Sequence, residues 1–417
     1  MNSFYFQNKV LHAESVPVSD LMGAYGSPLY IYSKSQIEFN WQKFEKSFGS
    51  HPHLICYAVK ANSNLAVLNV LANLGSGFDI VSIGELERVI AAGGNPKKCV
   101  FSGVAKTEQA IQKALEYGIY CFNVESVAEL DRIESVAASL KMNAPISIRV
   151  NPNVDAKTHP YISTGLTENK FGVSVEIALS LYKKTNLSDH LEVFGLDYHI
   201  GSQITDISPF LEALDKALEL IARLEEEEIY LNHIDIGGGV GVTYDKETPI
   251  SIHDYMHSVI QKVGDLKIMV EPGRSIVGNA GIFVTKVEYL KQNELKSFAI
   301  VDGAMNDLLR PALYGSYHQA VTIEDNSNGI KDSWDIVGPV CETADFLAKS
   351  RSLTLEQGDY IALMTTGAYG FVLSSNYNSR PRVAEVMVDG SVHQLVRMRE
   401  TTESLFKNEK ILKNETN

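Results

Sequence analysis

The sequence has few cysteines, no apolar run long enough to cross a membrane, and no excess of positive charge. Its four cysteines form no Cys-x-x-Cys pair, so neither a zinc or other metal site nor a disulfide framework is predicted. The net charge of -14 argues against binding to nucleic acid or to an anionic membrane, because both require clustered basic residues. Small molecules are therefore the expected partners.

The segment Met1–Lys9 lacks the basic stretch and following apolar core of a signal peptide, so we expect a cytoplasmic protein. With 417 residues, of which 45% are hydrophobic and 21% charged, the composition is typical of a globular protein. The length is sufficient for one large domain and one smaller domain.

From about residue 54, short apolar runs alternate with longer stretches of helical period, which is typical of βα units around a parallel sheet. The predicted strands begin near Leu54, Phe78, Cys99, Ile119, Ile146, Val193, His233 and Lys267. Predicted helices between them include residues 65–74, 107–117, 126–140, 208–227 and 252–263. Eight such units in about 220 residues predict a (β/α)8 barrel of the TIM type, placed at residues 31–278.

The pattern changes after Gly281, where strand-like runs at 282–289, 297–301, 360–364 and 382–388 are separated by turn signals such as Asp389-Gly390. This pattern predicts a C-terminal all-β domain, a sandwich or barrel, over residues 279–417. The run Pro28–Tyr32 predicts a strand that joins this β domain, so residues 1–30 form an N-terminal segment ahead of the barrel.

Lys60 ends the first predicted barrel strand, in the apolar stretch Leu54–Asn62. Desolvation disfavours the ammonium form and lowers its pKa, which prepares an amine to form a Schiff base with a carbonyl or with pyridoxal phosphate. A lysine can instead bury only its alkyl chain and keep its charge in water, so Lys60 alone does not decide between these readings.

The loops after the later strands carry further polar groups. They lie at the C-terminal end of the barrel, where TIM-barrel enzymes have their active sites. Gly237, Gly238 and Gly239 let backbone amides approach a phosphate, although a tight turn also explains them. Ser202 adds a hydroxyl donor. A phosphate-binding loop is therefore one of two readings of this region.

Glu271 and His199 suit an aromatic cofactor. Glu271 is the type of group that pairs with a protonated pyridine nitrogen, the alternative being a salt bridge with Arg274. His199 offers a flat ring for stacking, the alternative being a structural core histidine. With Lys60 and the glycines, these residues supply what pyridoxal phosphate requires.

The β half contributes candidate substrate ligands. Arg310 and Tyr314 lie one helical turn apart, and Arg310 with Arg274 predicts a bidentate clamp for a carboxylate. The pair Cys341-Glu342 predicts a thiol proton donor, the alternative being a small buried cysteine. Tyr369 stands in a loop between glycines and is free to reach a ligand, unless it only packs in a turn.

These segments resemble the barrel-type pyridoxal-phosphate decarboxylases, in particular the members that act on meso-diaminopimelate. The resemblance covers essentially the whole chain and rests on the segments Tyr57–Asn62, His159–Gly165, Asn169–Gly172, His199–Gln203, Glu271–Arg274, Met305–Arg310, Cys341-Glu342 and Gly367–Gly370.

The resemblance implies a decarboxylase that forms L-lysine and carbon dioxide, the last step of lysine synthesis, and assigns roles to individual residues. For the cofactor, it implies that Lys60 forms the Schiff base, His199 stacks on the ring and Glu271 holds the pyridine nitrogen. The residues implied at the phosphate are Ser202, Gly237, Gly238, Gly239 and Tyr369, and Gly273 and Arg274 are implied as further cofactor-binding residues. Those for the substrate are Arg274, Arg310, Tyr314 and Tyr369, with Glu342 at the far ammonium group and Cys341 as proton donor. The resemblance also implies a homodimer in which Cys341 and Glu342 enter the partner's site.

Related barrel enzymes act on ornithine, arginine or carboxynorspermidine, or racemise alanine, and a non-catalytic regulator with this fold is a further alternative. Polyamine precursors end in a cation, so their pocket has no use for Arg274 and Arg310. A regulator would be expected to have lost Lys60 or Cys341. The sequence therefore favours a decarboxylase for a substrate with a distal carboxylate.

Overall fold

A computed structural model of the chain describes residues 2–155, 169–325 and 328–412. The chain divides into two compact units, one from Lys34 to Asn279 and the other made of Asn2–Ser33 together with the chain from Ala280 onward. No helix in the described part of the chain is long and apolar enough to span a bilayer.

The N-terminal segment belongs to the second unit. Its elements are β1 Phe4–Gln7, β2 Val10–Ala13, β3 Val16–Pro17, α1 Val18–Tyr25 and β4 Leu29–Ser33. The first three strands form a small antiparallel sheet in the order β1-β2-β3.

The first unit alternates strands and helices along its length. Its elements are α2 Lys34–Phe48, β5 His53–Ala58, α3 Leu65–Asn73, β6 Gly77–Ile80, α4 Ile83–Ala91, β7 Cys99–Phe101, α5 Glu108–Tyr117, β8 Cys121–Val124, α6 Val127–Leu140, β9 Ala144–Arg149, α7 Val175–Asn186, β10 Leu191–Asp197, α8 Ser208–Glu226, β11 His233–Asp235, α9 Ile252–Val263, β12 Lys267–Val270 and α10 Arg274–Val277. Strands β5 to β12 close into a parallel barrel in the order β10-β11-β12-β5-β6-β7-β8-β9. The predicted barrel is confirmed, and each predicted strand start lies within two residues of an observed one.

Local sequence explains where the barrel helices begin. Ser82, Thr107, Ser126 and Ser251 each precede a helix, and each side-chain oxygen accepts a hydrogen bond from a backbone N–H of the first turn. Such caps satisfy donors that have no partner inside the helix. They fix the point at which each loop ends, and therefore the length of the loops on the barrel rim.

The rest of the second unit consists of the residues that follow the barrel in the sequence. Its later elements are β13 Gly281–Gln292, β14 Ser297–Val301, α11 Arg310–Tyr314, β15 Ala320–Thr322, β16 Ile330–Val337, β17 Phe346–Leu355, β18 Tyr360–Leu363, β19 Ala384–Asp389, β20 Val392–Arg397 and α12 Thr402–Phe406. Nine strands share one sheet, along the path β17-β16-β14-β13-β4-β19-β20, with β18 paired to β13 and β15 paired to β18. Strand β4 pairs antiparallel with β13 and parallel with β19, so the predicted insertion of the N-terminal strand into the β domain is confirmed.

Candidate functional site

Lys60 lies in a short 3-10 turn directly after β5, at the C-terminal rim of the barrel. Its ammonium nitrogen is 2.5 Å from Oδ2 of Asp79, a fully buried residue of β6. The Lys60 side chain is 39% exposed. Its surroundings are therefore not the purely apolar ones that the local sequence suggests, because a buried carboxylate stabilises the charge.

Three more carboxyl groups converge at the neighbouring strand ends. Asp197 and Asp235 are paired in register at the ends of β10 and β11, and Glu271 follows β12. One oxygen of each lies within 4.8 Å of an oxygen of the other two, and all three residues are buried. Among the described residues, both carboxylate oxygens of Asp197 and Oδ2 of Asp235 make no hydrogen bond. The cluster is therefore short of donors.

Burial and mutual repulsion govern the charge of this cluster. Burial raises the pKa of Glu271 well above its usual value, and the nearby carboxylates of Asp235, Asp79 and Asp197 raise it further against the opposing charge of Lys60. Burial, followed by Asp197, likewise raises the pKa of Asp235. The carboxyl groups cannot all be ionised together near neutral pH, because like charges in a desolvated site repel strongly.

Gly237, Gly238 and Gly239 lie in the loop that follows β11 and are called the glycine turn below. Gly237 and Gly239 have φ values of 67° and 109°, which side chains rarely adopt. A Cβ on Gly238 would lie 2.2 Å from the carbonyl oxygen of Glu271, and one on Gly239 would lie 2.4 Å from that of Gly201. The turn is held by Oδ1 of Asp235, which accepts a hydrogen bond from the Gly237 amide at 2.9 Å.

His199 lies beside this turn. Its Nδ1 accepts a hydrogen bond from the Gly238 amide at 3.3 Å. Burial lowers the pKa of His199 well below its usual value, and the cations Arg149 and Lys60 lower it further. The ring is therefore neutral, with its proton on Nε2, and offers a flat uncharged face.

Ser202 and Arg274 are in direct contact on the same rim. The Ser202 hydroxyl accepts hydrogen bonds from Nε and Nη2 of Arg274 at 3.3 and 3.1 Å, and Nη1 donates to the Tyr244 hydroxyl at 2.6 Å. A Cβ on Gly273 would come within 3.1 Å of the Cβ atoms of Ala58 and Ala61, which flank Lys60. Gly273 thus permits close packing of the loop after β12 against the turn that carries Lys60.

Arg149 supplies a second cation at the rim. From the end of β9 its Nη1 lies 3.1 Å from Glu125, its Nε lies 3.7 Å from Asp197, and its guanidinium packs over Phe171. Phe171 belongs to the segment Asn169–Gly172, so this part of the resemblance lies at the barrel rim. The segment His159–Gly165 lies outside the described residues.

In the second unit, Arg310 begins α11 and Tyr314 ends it, as the predicted one-turn spacing requires. Arg310 is buried and donates from Nε to Nε2 of His318 at 3.4 Å and from Nη2 to Ser316 at 3.2 Å. His318 is fully buried, and its Nδ1 lies 2.9 Å from the Met364 carbonyl oxygen. That carbonyl fixes the proton on Nδ1 and leaves Nε2 to accept from Arg310.

Cys341 and Glu342 lie on the surface of the second unit. The loop that carries them is folded around buried Asp345, whose carboxylate accepts hydrogen bonds from the Met305 and Val340 amides. Cys341 is exposed, so it is not the small buried residue that cysteine usually is. The Tyr377 hydroxyl donates to Glu342.

Tyr369 has a φ of 55°, which is a strained conformation for a residue of this size. Gly367 and Gly370, on either side of Tyr369 in the sequence, permit close packing of the backbone. A Cβ on Gly370 would lie 2.4 Å from the Thr366 carbonyl oxygen, and a Cβ on Gly281 would lie 2.6 Å from Cα of Gly367. Tyr369 itself is partly exposed.

Several of these residues escape sequence reasoning. Asp79, Asp197 and Asp235 each lie within or at the end of a barrel strand, and an acid at such a position is the only local signal. Arg149 ends a strand in the same way, and His318 lies in a loop without any pattern. The barrel residues predicted for a cofactor, by contrast, are brought together on one rim.

The rim fits a phosphorylated pyridine ring. Among the described residues, the amides of Gly239 and Val240 donate to no other group, so they are available to an anion. Buried carboxylate oxygens without donors suit a protonated ring nitrogen. A neutral histidine ring and a lysine amine complete the set. A side chain at Gly238 would force its backbone away from that of Glu271.

Comparisons with known proteins agree with this reading. Residues 34–278 match the family described as pyridoxal-dependent decarboxylase, pyridoxal binding domain. The chain is 54% identical over 411 residues to a diaminopimelate decarboxylase of Vibrio cholerae, with 98% of each protein covered. It is 52% identical over 414 residues to one of Pseudomonas aeruginosa, with 99% of this chain and 100% of the relative covered. The crystal structure of diaminopimelate decarboxylase from Helicobacter pylori complexed with L-lysine matches with a TM-score of 0.91 at 44% identity, over 94% of this chain and 99% of that one.

Proposed function

Because the chain belongs to the diaminopimelate decarboxylase family of pyridoxal-dependent enzymes, we propose that it converts meso-2,6-diaminopimelate to L-lysine and carbon dioxide. This is the last step of lysine synthesis, and we place it in the cytoplasm. The observation that carries the proposal is the presence of Lys60, the three-glycine turn and Glu271 on one barrel rim.

The barrel residues would hold pyridoxal phosphate from several directions. Lys60 would be the amine for its aldehyde, and the glycine turn with Ser202 would bind its phosphate. Glu271 would pair with the ring nitrogen, and neutral His199 would stack on the ring. Tyr369 is assigned to the phosphate, and its strained backbone is consistent with a residue held for a ligand.

When bound, pyridoxal phosphate supplies an electron sink for the pair left behind by the departing carboxylate. The protein's own groups manage protons and charge. An ionised Glu271 keeps the ring nitrogen protonated, while buried donors Ser102 and Asn123 lie 3.4 and 3.5 Å from its Oε1. Cys341 would return a proton to the α-carbon, and Asp79 would hold the Lys60 ammonium whenever Lys60 is not bound to the cofactor.

Arg274, Arg310 and Tyr314 are assigned to the distal carboxylate of the substrate. His318 and Ser316 hold the Arg310 guanidinium in place, which suits bidentate recognition of a carboxylate. Glu342 is assigned to the distal ammonium group. A substrate without the distal carboxylate leaves a desolvated guanidinium unpaired, at a cost of about 3 kcal/mol.

The decisive experiment compares carbon dioxide release from meso-diaminopimelate, L-ornithine and L-lysine. We expect kcat/KM for the two monocarboxylates to be at least about 100-fold lower, which corresponds to the cost of the unpaired guanidinium. Comparable values for ornithine would contradict the assignment. A non-catalytic regulator would release no carbon dioxide from any of them and would show no visible absorption band that depends on Lys60.

We also propose a homodimer with shared sites, which the surface position of Cys341 and Glu342 supports. Lys60→Ala and Cys341→Ala proteins should each be inactive alone, because each lacks a group that the reaction needs, and only shared sites allow activity to return in a mixture. After subunit exchange, roughly a quarter of wild-type activity should return, since one site of each mixed dimer is intact. Continued inactivity of the mixture would count against sharing.

A further inference from the structure

The acid cluster at the barrel rim carries more negative groups than its surroundings can neutralise. The acidic and basic groups that face Glu271, Asp235 and Asp197 from the packed elements are Lys60 after β5, Asp79 on β6, Glu125 after β8, Arg149 on β9 and His199 after β10. The thiols of Cys56 and Cys121 and the phenols of Tyr120, Tyr182, Tyr198 and Tyr255 also lie near these acids, and burial raises the pKa of each, so they carry no charge at neutral pH. Lys60 is paired with Asp79, and Arg149 lies closer to Glu125 than to Asp197. Arg149 partly offsets the charge of Asp197, and Lys60 partly offsets that of Glu271, but the acids Glu271, Asp235, Asp197, Asp79 and Glu125 outnumber these two cations.

Asp235 occupies a special position in this arrangement. Its Oδ1 accepts a hydrogen bond from the Gly237 amide, while its Oδ2 is buried, makes no hydrogen bond among the described residues, and belongs to the group of oxygens within 4.8 Å. One carboxyl group thus connects the glycine turn with Glu271. Two carboxyl groups this close in a desolvated site do not readily ionise together, so one of them stays protonated.

We propose that Asp235, with Asp197 behind it, is a positioning residue that keeps Glu271 protonated in the cofactor-free protein, so that cofactor binding releases a proton. This inference rests on the cofactor site proposed above. The protonated ring nitrogen would add a cation beside acids that outnumber their cations, Glu271 would ionise against it, and its proton would pass to solvent. Cofactor affinity therefore rises with pH across the titration of the cluster.

The test uses cofactor-free full-length protein and pyridoxine 5′-phosphate, which has the ring and phosphate but no aldehyde for Lys60. Calorimetric titrations at neutral pH, in two buffers of different ionisation enthalpy, count the protons exchanged on binding. Wild type should release about one proton more than Glu271→Gln. Protonation of the ligand's own phosphate is common to all proteins and cancels in the comparison.

Asp235→Asn separates the two roles of the side chain. Its amide oxygen still accepts from Gly237, so affinity should stay within about tenfold of wild type, while the number of released protons falls. Asp197→Asn should shift the proton count in the same direction and serves if Asp235→Asn fails to fold. Asp215→Asn on α8, an exposed acid paired with Lys262, is the matched control and should behave as wild type.

Equal proton release by wild type, Glu271→Gln and the aspartate variants would overturn the inference while leaving the cofactor site intact. Failure of wild type to bind pyridoxine 5′-phosphate would overturn the cofactor site, and the inference with it.

Discussion

Replacing Gly238 with alanine tests the cradle by a purely steric change. The φ angle of Gly238 lies outside the left-handed region, so alanine meets no backbone strain there. Its Cβ, however, would lie 2.2 Å from the Glu271 carbonyl oxygen, where ordinary contacts begin at 3.4 Å. The two backbones must therefore separate by about 1.2 Å, which exceeds the roughly 0.5 Å within which a binding site keeps its geometry.

The expected loss follows from that displacement. Overpacking of this kind costs about 1–3 kcal/mol. The same shift also moves the amides of the glycine turn away from the phosphate and Glu271 away from the ring. We expect cofactor affinity to fall roughly 100-fold, which corresponds to about 2.7 kcal/mol.

The assay is a spectroscopic titration of cofactor-free protein with pyridoxal phosphate, together with thermal unfolding. Gly84→Ala is the matched control, since a Cβ at this position of α4 has only the Ser82 hydroxyl near it, at 3.8 Å. That control should bind as wild type and gain up to about 1 kcal/mol of stability from helix propensity. Wild-type affinity in Gly238→Ala would refute the cradle.

Two further predictions concern stability. Lys106 is buried, and its ammonium donates to two carbonyl oxygens and to Glu129. Lys106→Met should lower the free energy of unfolding in urea by about 3–5 kcal/mol, and adding Glu129→Gln should recover most of that loss. A loss below about 1 kcal/mol would contradict this. Burial lowers the pKa of His233 to about 3, so between about pH 6.5 and 3 the unfolded chain binds a proton that the folded chain does not. Stability should therefore fall by about 1.4 kcal/mol per pH unit as pH drops through that range. His233→Leu should lose this slope, and unchanged slopes in the two proteins would show that His233 is not the group responsible.

The barrel strands can be predicted from sequence because parallel strands covered by helices on one side and the barrel interior on the other consist of nearly continuous apolar residues. In the β domain the signal is weaker. Strand β16 carries Lys331, Asp332 and Asp335, and edge strand β17 carries Lys349 and Arg351, so neither resembles a buried strand. Their pairing is decided by contacts distant in sequence, which local patterns do not contain.

The residues of the functional site also differ in how well the sequence predicts them. Lys60, the glycine turn and Glu271 are recognisable because each is an unusual residue type at a strand end. Asp197 and Asp235 are not, because a single acid in a strand is common. Their importance arises only when β10, β11 and β12 lie side by side, which places their carboxyl groups next to Glu271.

The position of β4 in the sheet has a consequence for biosynthesis. It is synthesised before the barrel, but its neighbour β13 follows about 250 residues later and β19 about 350 residues later. At roughly 5–20 residues per second, β4 waits about 13–50 s for β13 and about 18–70 s for β19. The barrel, whose strands all lie within one continuous stretch, can close during that delay. An apolar strand with open edges is prone to aggregation, so β4 needs protection from other chains until β13 and β19 have been synthesised.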